Sequence, residues 1–334
     1  MKDFSHCGYV RIDNRLCART KLKLASCNEC IKFCVANAIL FKNHSLAIDK
    51  NRCVNCGICY AACPNSAIIV KKDNEKLIKS TEGDLDIGCI FSNASVKVAC
   101  VSRITDDVIV TYLARGENVT IKKGDCSDCV FKETLPLFDK NLKRAKNIAE
   151  SLNIKGILSV EKDVAKHAHI PENNVLRREL FSIFLAQNQT NKREILKKAV
   201  DASIDKIEKQ FDYGGIFNLK ISNACTFCGM CEIVCTQEAI VIKKYEQSGK
   251  IYFNPSLCTG CKACIESCIQ NAISFEYGTT LDLKSKAVKL IEMQKNVCKL
   301  CGKEFFSQKN EDVCYLCKDK QNKKNDLLRF LKDL

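Results

Sequence analysis

The chain has 334 residues, enough for two or three domains, and a formal net charge of +14. Most of its 25 cysteines fall in runs built on Cys-x2-Cys, a grouping that secreted disulfide scaffolds rarely show and that points to metal ligation. The opening Met1-Lys2-Asp3-Phe4-Ser5-His6 has no apolar core or cleavage site, and no apolar run reaches membrane-spanning length. A soluble protein of a reducing cytoplasm, without direct membrane insertion, is the expectation.

In chain order, residues 1–75 carry the first pattern. Cys53-Val-Asn-Cys56-Gly-Ile-Cys59-Tyr-Ala-Ala-Cys63-Pro64 reads Cys-x2-Cys-x2-Cys-x3-Cys-Pro. Thiolates so spaced wrap one corner of a cubane while backbone amides point at its sulfides. Ile12-Asp13-Asn14-Arg15-Leu16-Cys17 repeats Ile48-Asp49-Lys50-Asn51-Arg52-Cys53, so Cys17 holds a first-ligand position, followed by Cys27, Cys30 and Cys34. The wide gap from Cys17 to Cys27 marks an inserted loop. Both halves end alike, in Cys34-Val-Ala-Asn-Ala38-Ile39 and Cys63-Pro-Asn-Ser-Ala67-Ile68.

Residues 8–72 thus resemble a bacterial-type two-cluster ferredoxin, built of two β-strand–loop–helix halves related by a pseudo-twofold. The resemblance implies two [4Fe-4S] clusters with crossed ligation. Cluster one would take Cys17, Cys27, Cys30 and Cys63; cluster two would take Cys53, Cys56, Cys59 and Cys34. Cys7, the cysteine left over, is the alternative to Cys17.

Residues 83–170 read as a small α/β unit. Strands are expected at Val96–Cys100, Asn118–Lys123 and Gly156–Val160. A helix capped by Ser102 or Thr105 should end near Gly116, and a second should run through Phe138, Leu142, Ala145, Ala149 and Leu152. This order implies a parallel sheet with right-handed crossovers. Cys100 and Cys126 then lie at carboxyl ends of strands, Cys129 follows one turn later, and Cys89 approaches from the preceding loop. Cys-Val-Ser-Arg after one strand and Gly-Asp-Cys-Ser-Asp-Cys after the next resemble the iron–sulfur delta subunit of methyl-viologen-reducing hydrogenases. That resemblance implies a [2Fe-2S] cluster at Cys89, Cys100, Cys126 and Cys129. The thiols alone leave open a structural zinc, or no metal with a redox-active Cys126–Cys129 pair. His167 and His169 read as surface residues.

Residues 171–213 form a helical linker in which Leu196, Ala199, Val200, Ser203, Ile204, Ile207 and Phe211 recur at helical spacing. Its expected task is to pack one cysteine module on the next. Arg177-Arg178 is internal, with no export segment after it, and reads as a solvated face.

Residues 214–280 return to the ferredoxin pattern without insertion. The same resemblance implies a third cluster on Cys225, Cys228, Cys231 and Cys268, and a fourth on Cys258, Cys261, Cys264 and Cys235. Proline is absent after both fourth cysteines, which weakens the expected turn. Residues 281–334 are expected to hold a helix, then Cys298, Cys301, Cys314 and Cys317 in two knuckles resembling a zinc ribbon, then an amphipathic tail. A rubredoxin-like iron is the alternative metal there. Leu327, Phe330, Leu331 and Leu334 share a helical face expected to dock on the body.

The fold class expected is therefore α+β: two ferredoxin-like 2[4Fe-4S] modules flanking a small parallel-sheet unit and a helical linker, with a C-terminal zinc ribbon. Six four-cysteine sites, each about −2 when loaded, would bring the charge down to near +2, which removes the main support for nucleic-acid binding. No glycine-rich nucleotide fingerprint, paired nucleophile or cofactor lysine stands out. The expectation is a soluble electron-relay subunit of a cytoplasmic oxidoreductase complex, working between donor and acceptor proteins and not catalytic alone. A maturation ferredoxin for a molybdenum or other redox enzyme, and a redox-sensing regulator, are the alternatives.

Overall fold

In a computed structural model the described residues are 6–7, 10–23, 25–70, 77–78, 82–163, 191–201, 212–279, 282 and 285–332. His167, His169, Arg177, Arg178 and the distal linker positions Ser203, Ile204, Ile207 and Phe211 lie outside them. The same holds for the side chains of Leu327, Phe330 and Leu334, whereas Leu331 is exposed.

The first unit has two small antiparallel sheets. One contains β1 (His6–Cys7), β2 (Val10–Ile12) and β5 (Ile68–Val70); the other is a hairpin of β3 (Ile39–Lys42) and β4 (Ser45–Ile48). Val10 and Ile12 point into the core and Arg11 away from it, the period-two alternation of a half-buried strand. The Asp13 amide donates to the Ala67 carbonyl at 2.8 Å and the Asp49 amide to the Ala38 carbonyl at 2.8 Å. Each half thus closes the other, which is the pseudo-twofold in backbone terms. Three short helices, α1 (Ala18–Lys21), α2 (Glu29–Lys32) and α3 (Ile58–Ala62), lie among the cysteines, and α1 fills the insertion after Cys17.

The middle unit is a four-stranded, all-parallel sheet in the order β7-β6-β8-β9: β6 (Leu85–Cys89), β7 (Val96–Val98), β8 (Val119–Lys123) and β9 (Leu158–Lys162). The helices α4 (Asp106–Ala114) and α5 (Leu135–Ser151) match the expected ones, and Gly116 takes φ +83° just past α4. Thr105, not Ser102, stands at the α4 N-cap; Ser102 instead donates to the Thr134 carbonyl at 3.0 Å.

One element departs from expectation. Cys89 ends an inner strand, β6, rather than approaching from a loop. Asp86 and Gly88 make Leu85-Asp-Ile-Gly-Cys a poor local strand former. Tertiary context supplies what propensity lacks: Lys122 Nζ and the Ser95 amide bind Asp86, and a Cβ on Gly88 would overlap the Lys122 carbonyl of β8.

The linker helix α6 (Lys192–Asp201) buries Ile195, Leu196, Ala199 and Val200, the described part of the predicted stripe, in the same apolar cluster as α4. That cluster also takes in Phe33, Ile58, Ala61 and Ala62 of the first unit and Ile216 beyond the linker. The middle unit's core thus reaches into both neighbours, while the first and last units each keep a core of their own.

In the last part β10 (Asp212–Ile221) pairs with β13 (Ile273–Thr279), and a second antiparallel sheet runs β11 (Ile240–Lys244), β12 (Ser248–Phe253), β14 (Val288–Val297), β15 (Glu304–Ser307). The interlocking bonds recur here, from the Ser222 amide to the Ala272 carbonyl at 2.9 Å and from Asn254 to Ala239 at 2.8 Å. Helices α7 (Met230–Val234) and α8 (Ala263–Glu266) follow the cysteine loops, and α9 (Tyr315–Lys332) ends the chain's described part.

The helix expected ahead of Cys298 is a strand. Ile291 and Met293 are buried two residues apart, so β14 joins β12 edge to edge and the boundary expected at 280–281 is bridged by a continuous sheet. Among the described residues no helix is long and apolar enough to cross a membrane.

Candidate metal centres

The fourth cysteine of every run sits in the same corner. The Ala38 amide donates to Cys34 Sγ at 3.2 Å, Ala67 to Cys63 Sγ at 3.3 Å, Ala239 to Cys235 Sγ at 3.2 Å and Ala272 to Cys268 Sγ at 3.3 Å. The residue before each alanine is left-handed: Asn37, Ser66, Glu238 and Asn271 have φ between 45° and 53°. Only Cys63 is followed by proline, yet all four corners are alike, so this turn depends on the left-handed residue and not on proline.

Three of the four runs share a second device. Left-handed residues flank the second cysteine on either side: Asn55 and Gly57, Phe227 and Gly229, Gly260 and Lys262. Alternating handedness turns successive amides into one concavity, a nest that suits an anion and recurs at iron–sulfur sites. Asn55, Phe227 and Lys262 hold this conformation without glycine's freedom, a local cost that the surrounding fold offsets. The first run departs from the pattern. Asn28, beside Cys27, has φ −136°, because the α1 insertion removes the tight turn.

Packing sorts the thiols into groups. Cys34, Cys53, Cys56 and Cys59 line one cavity with Val10, Phe33, Ile39 and Ile48. Cys34 comes from the first run and the others from the second. Burial pushes the Cys56 thiol up to about 11, and Cys34 is among the charges it senses. Cys27, likewise raised to about 11 chiefly by burial, senses Cys63, Cys17 and Cys261 of the other module; Cys30, raised further, senses Cys63, Cys59, Cys17 and Cys27.

In the second module Cys225 senses Cys228 and Cys268, and Cys231, raised to about 12 by burial, senses Cys225 and Cys228. Cys258, also near 12 through burial, and Cys264 both sense Cys261 and Cys235. Thiols this crowded resist ionisation alone. A cationic metal core reverses that preference, so the donor chemistry fits iron–sulfur cubanes.

At the middle site Cys89, Cys100 and Cys126 follow the carboxyl ends of three strands, β6, β7 and β8, and Cys126 senses Cys100, Cys129 and Cys89. Cys89 Sγ accepts the Gly124 amide at 3.2 Å, and Cys100 Sγ lies 3.5 Å from Ser102 Oγ. Cys126 is thus near enough to sense the other three expected thiols, which are less tightly grouped than the C-terminal four.

The C-terminal thiols are drawn tighter. Those of Cys298, Cys301, Cys314 and Cys317 all lie within 4.8 Å of one another, with 3.8 Å between Cys301 and Cys314; among the described residues no other group is so close. A tetrahedral ion with metal–sulfur bonds of about 2.3 Å requires sulfurs about 3.8 Å apart, so this group fits one ion. The Cys314 amide donates to Cys298 Sγ at 3.3 Å and helps pull that thiol down to about 6. Hydrogen bonding within the thiol group, from Cys314 first, together with burial, pushes Cys317 up to about 12. Cys298 and Cys301 cap the β14–β15 hairpin, and Cys314 and Cys317 open α9.

Comparison with known proteins covers parts of the two ferredoxin-like modules. Residues 224–272 match the 4Fe-4S dicluster domain, and residues 46–69 match the 4Fe-4S binding domain. These are ferredoxin-type iron–sulfur domains. An uncharacterized ferredoxin of Methanocaldococcus jannaschii is 43% identical over 42 residues, 13% of this chain. The match spans 28% of that relative's length.

Sequence reasoning passed over two residues that the ferredoxin domains hold between them. Lys192 Nζ donates to the carbonyls of Tyr60, Ala61 and Cys63, at 2.6, 3.1 and 2.8 Å, and Arg193 Nη2 donates to the Cys258 carbonyl at 2.7 Å. A Lys-Arg pair opening an amphipathic helix reads locally as solvated, so only the packing reveals its targets.

Proposed function

We propose that this chain is a soluble multi-cluster electron carrier of the cytoplasm, a relay subunit of an oxidoreductase complex. Four [4Fe-4S] clusters would be held by the crossed groups: Cys17, Cys27, Cys30 and Cys63; Cys53, Cys56, Cys59 and Cys34; Cys225, Cys228, Cys231 and Cys268; Cys258, Cys261, Cys264 and Cys235. Such clusters exchange single electrons when bound, and full cysteine ligation leaves them no open position for a substrate. The chain's own residues hold the thiolates, direct amides at them and exclude water.

The observation that carries this reading is the fourfold recurrence of one corner, an alanine amide on the last thiol of each run. Cys89, Cys100, Cys126 and Cys129 would hold a [2Fe-2S] cluster. Their looser grouping, beside four C-terminal thiols that fit one ion, favours a polynuclear centre over zinc. Cys298, Cys301, Cys314 and Cys317 would hold structural zinc in a segment too small for its own core.

The donor and acceptor are other proteins. Cys228 is exposed, as are Ile269 beside Cys268 and Ile233 on α7, so the third cluster would lie nearest the surface and be open to docking. Anaerobic purification with metal and sulfide analysis tests the reading. About sixteen irons in cubanes, about two more at the middle site and about one zinc are expected, with a redox enzyme co-purifying. Protein without acid-labile sulfide would sink it.

A further inference from the structure

The two ferredoxin modules and the middle unit meet around a cavity of about 450 Å³, lined by the thiol-bearing Cys27 and Cys63 from one module and Cys261 from the other. Five basic side chains line it against three carboxylates, Glu29, Asp106 and Asp107. Two of the five are neighbours in sequence. Asn191 Oδ1 accepts the Arg193 amide at 2.9 Å and so fixes the first turn of α6, which aims Lys192 at one module and Arg193 at the other.

Burial lowers the Lys192 pKa, but three carbonyls receive its Nζ and only an ammonium has three protons to offer, so the geometry favours the charged form against that burial, with Asp106 and Asp107 acting in the same direction. The Tyr60 ring lies 4.9 Å from the same nitrogen. The acceptors are the last turn of α3 and the Cys63 carbonyl itself. Arg193 bonds to the Cys258 carbonyl at 2.7 Å in the same way, at the first cysteine of the fourth group.

We propose that Lys192 and Arg193 are a paired potential-setting device: Lys192 raises the reduction potential of the cluster held through Cys63, Arg193 that of the cluster held through Cys258. The proposal rests on the crossed ligation above. A fixed cation beside a centre that gains negative charge on reduction favours the reduced form, and it does so strongly where water is excluded. Both residues act as positioning charges, not as ligands. The same contacts hold the modules together: Gln237 Nε2 reaches the Asn65 carbonyl at 3.4 Å, Thr259 and Asn65 bond through their side chains, and Ser26 bonds to Glu266. The two charges are thus set at the seam between the modules.

The test is anaerobic redox titration of the full-length, cluster-loaded protein by paramagnetic resonance. The Cys30→Ala variant identifies the first cluster's signal by its loss, and Cys264→Ala identifies the fourth's. Lys192→Met should shift the first cluster's reduction equilibrium at least about tenfold toward the oxidised form, 59 mV for one electron, and Lys192→Arg should restore most of it. Arg193→Met should do the same to the fourth cluster and leave the first in place. Loaded Lys192→Met or Arg193→Met protein with unmoved potentials, even if it melts earlier, would reduce the pair to a structural cap and overturn the proposal. If Lys192→Met fails to assemble, the Arg193→Met titration decides. Wild-type protein without cubane signals would overturn the underlying cluster reading instead.

Discussion

The Ala67 amide donates to Cys63 Sγ at 3.3 Å, in the corner that ends the second run. Cys63 is sensed by Cys27 and Cys30 of the first run as well as by Cys59 of its own, and Cys34 shares a cavity with Cys53, Cys56 and Cys59. Under the proposed crossed ligation, exchange of the last thiol would tie the two local runs into one module. Cys63→Ala should therefore abolish the first cluster's paramagnetic signal and leave the second cluster's in place. Loss of the second alone would contradict the crossing.

Phe227 holds φ 58° beside Cys228, and its ring packs 4.6 Å from Phe306 on β15. Phe227→Asn places a residue that tolerates this backbone, relieving about 1–2 kcal/mol of strain. It also empties a buried aromatic site, which costs about 3–5 kcal/mol. Burial outweighs strain, and the variant should lose about 2–3 kcal/mol in denaturant unfolding, with the β14–β15 hairpin exchanging amide hydrogens sooner. A more stable variant would show that strain dominates.

Gly260 and Gly302 both have positive φ, +67° and +70°, but they differ in surroundings. A Cβ on Gly260 would overlap the Phe217 ring, whereas Gly302 has nothing within 4 Å. Gly302→Ala should cost only the backbone term, about 1–2 kcal/mol. Gly260→Ala should add overpacking of about 1–3 kcal/mol and lower iron content at the fourth group. Equal costs for the two would mean that Phe217 yields freely.

Cys301→Ser should release one tightly held metal ion per chain and unfold the segment around Cys298, Cys314 and the start of α9. The β11–β12 hairpin should survive, since its partner β14 is anchored by Ile291 and Met293 in the module's own core. Mass spectrometry of the native protein with hydrogen exchange reads both. Loss of protection throughout residues 240–253 would show that the ion supports the whole sheet.

Stripped of metal, the protein should be sensitive to alkali. Burial raises Cys27 and Cys56 to about 11 and Cys231 and Cys258 to about 12, above the ordinary thiol value of about 8.5. The folded chain then keeps protons that the unfolded chain gives up. The associated stability is full below pH ~8.5 and is lost as pH rises through 11 and 12. Unfolding midpoints of metal-free protein should fall between pH 7 and pH 10 while loaded protein, already deprotonated at these thiols, changes little. Equal slopes would argue against buried thiols.

Some of this molecule was written in its sequence because the relevant contacts are local. The loop and the alanine turn that set each corner lie within one short run, so Cys53 to Ala67 and Cys258 to Ala272 declare themselves by spacing. Helices α4 and α5 were equally legible, since one apolar face suffices to specify them. Other features were decided by residues far apart in the chain. Strand β6, unpromising with its Asp86 and Gly88, exists because β7 and β8 offer edges on both sides, and that brings Cys89 to a strand end. Strand β14 follows from an open edge on β12, and Lys192 finds its place only when Tyr60, Ala61 and Cys63 present three carbonyls at the same point. Cysteine spacing by itself picked out the candidate ligands of the ferredoxin runs and of the C-terminal group. Tertiary structure decided which modules face one another and which charges stand between them, because Coulomb energy and packing depend on distance in space, and residue number carries no record of that.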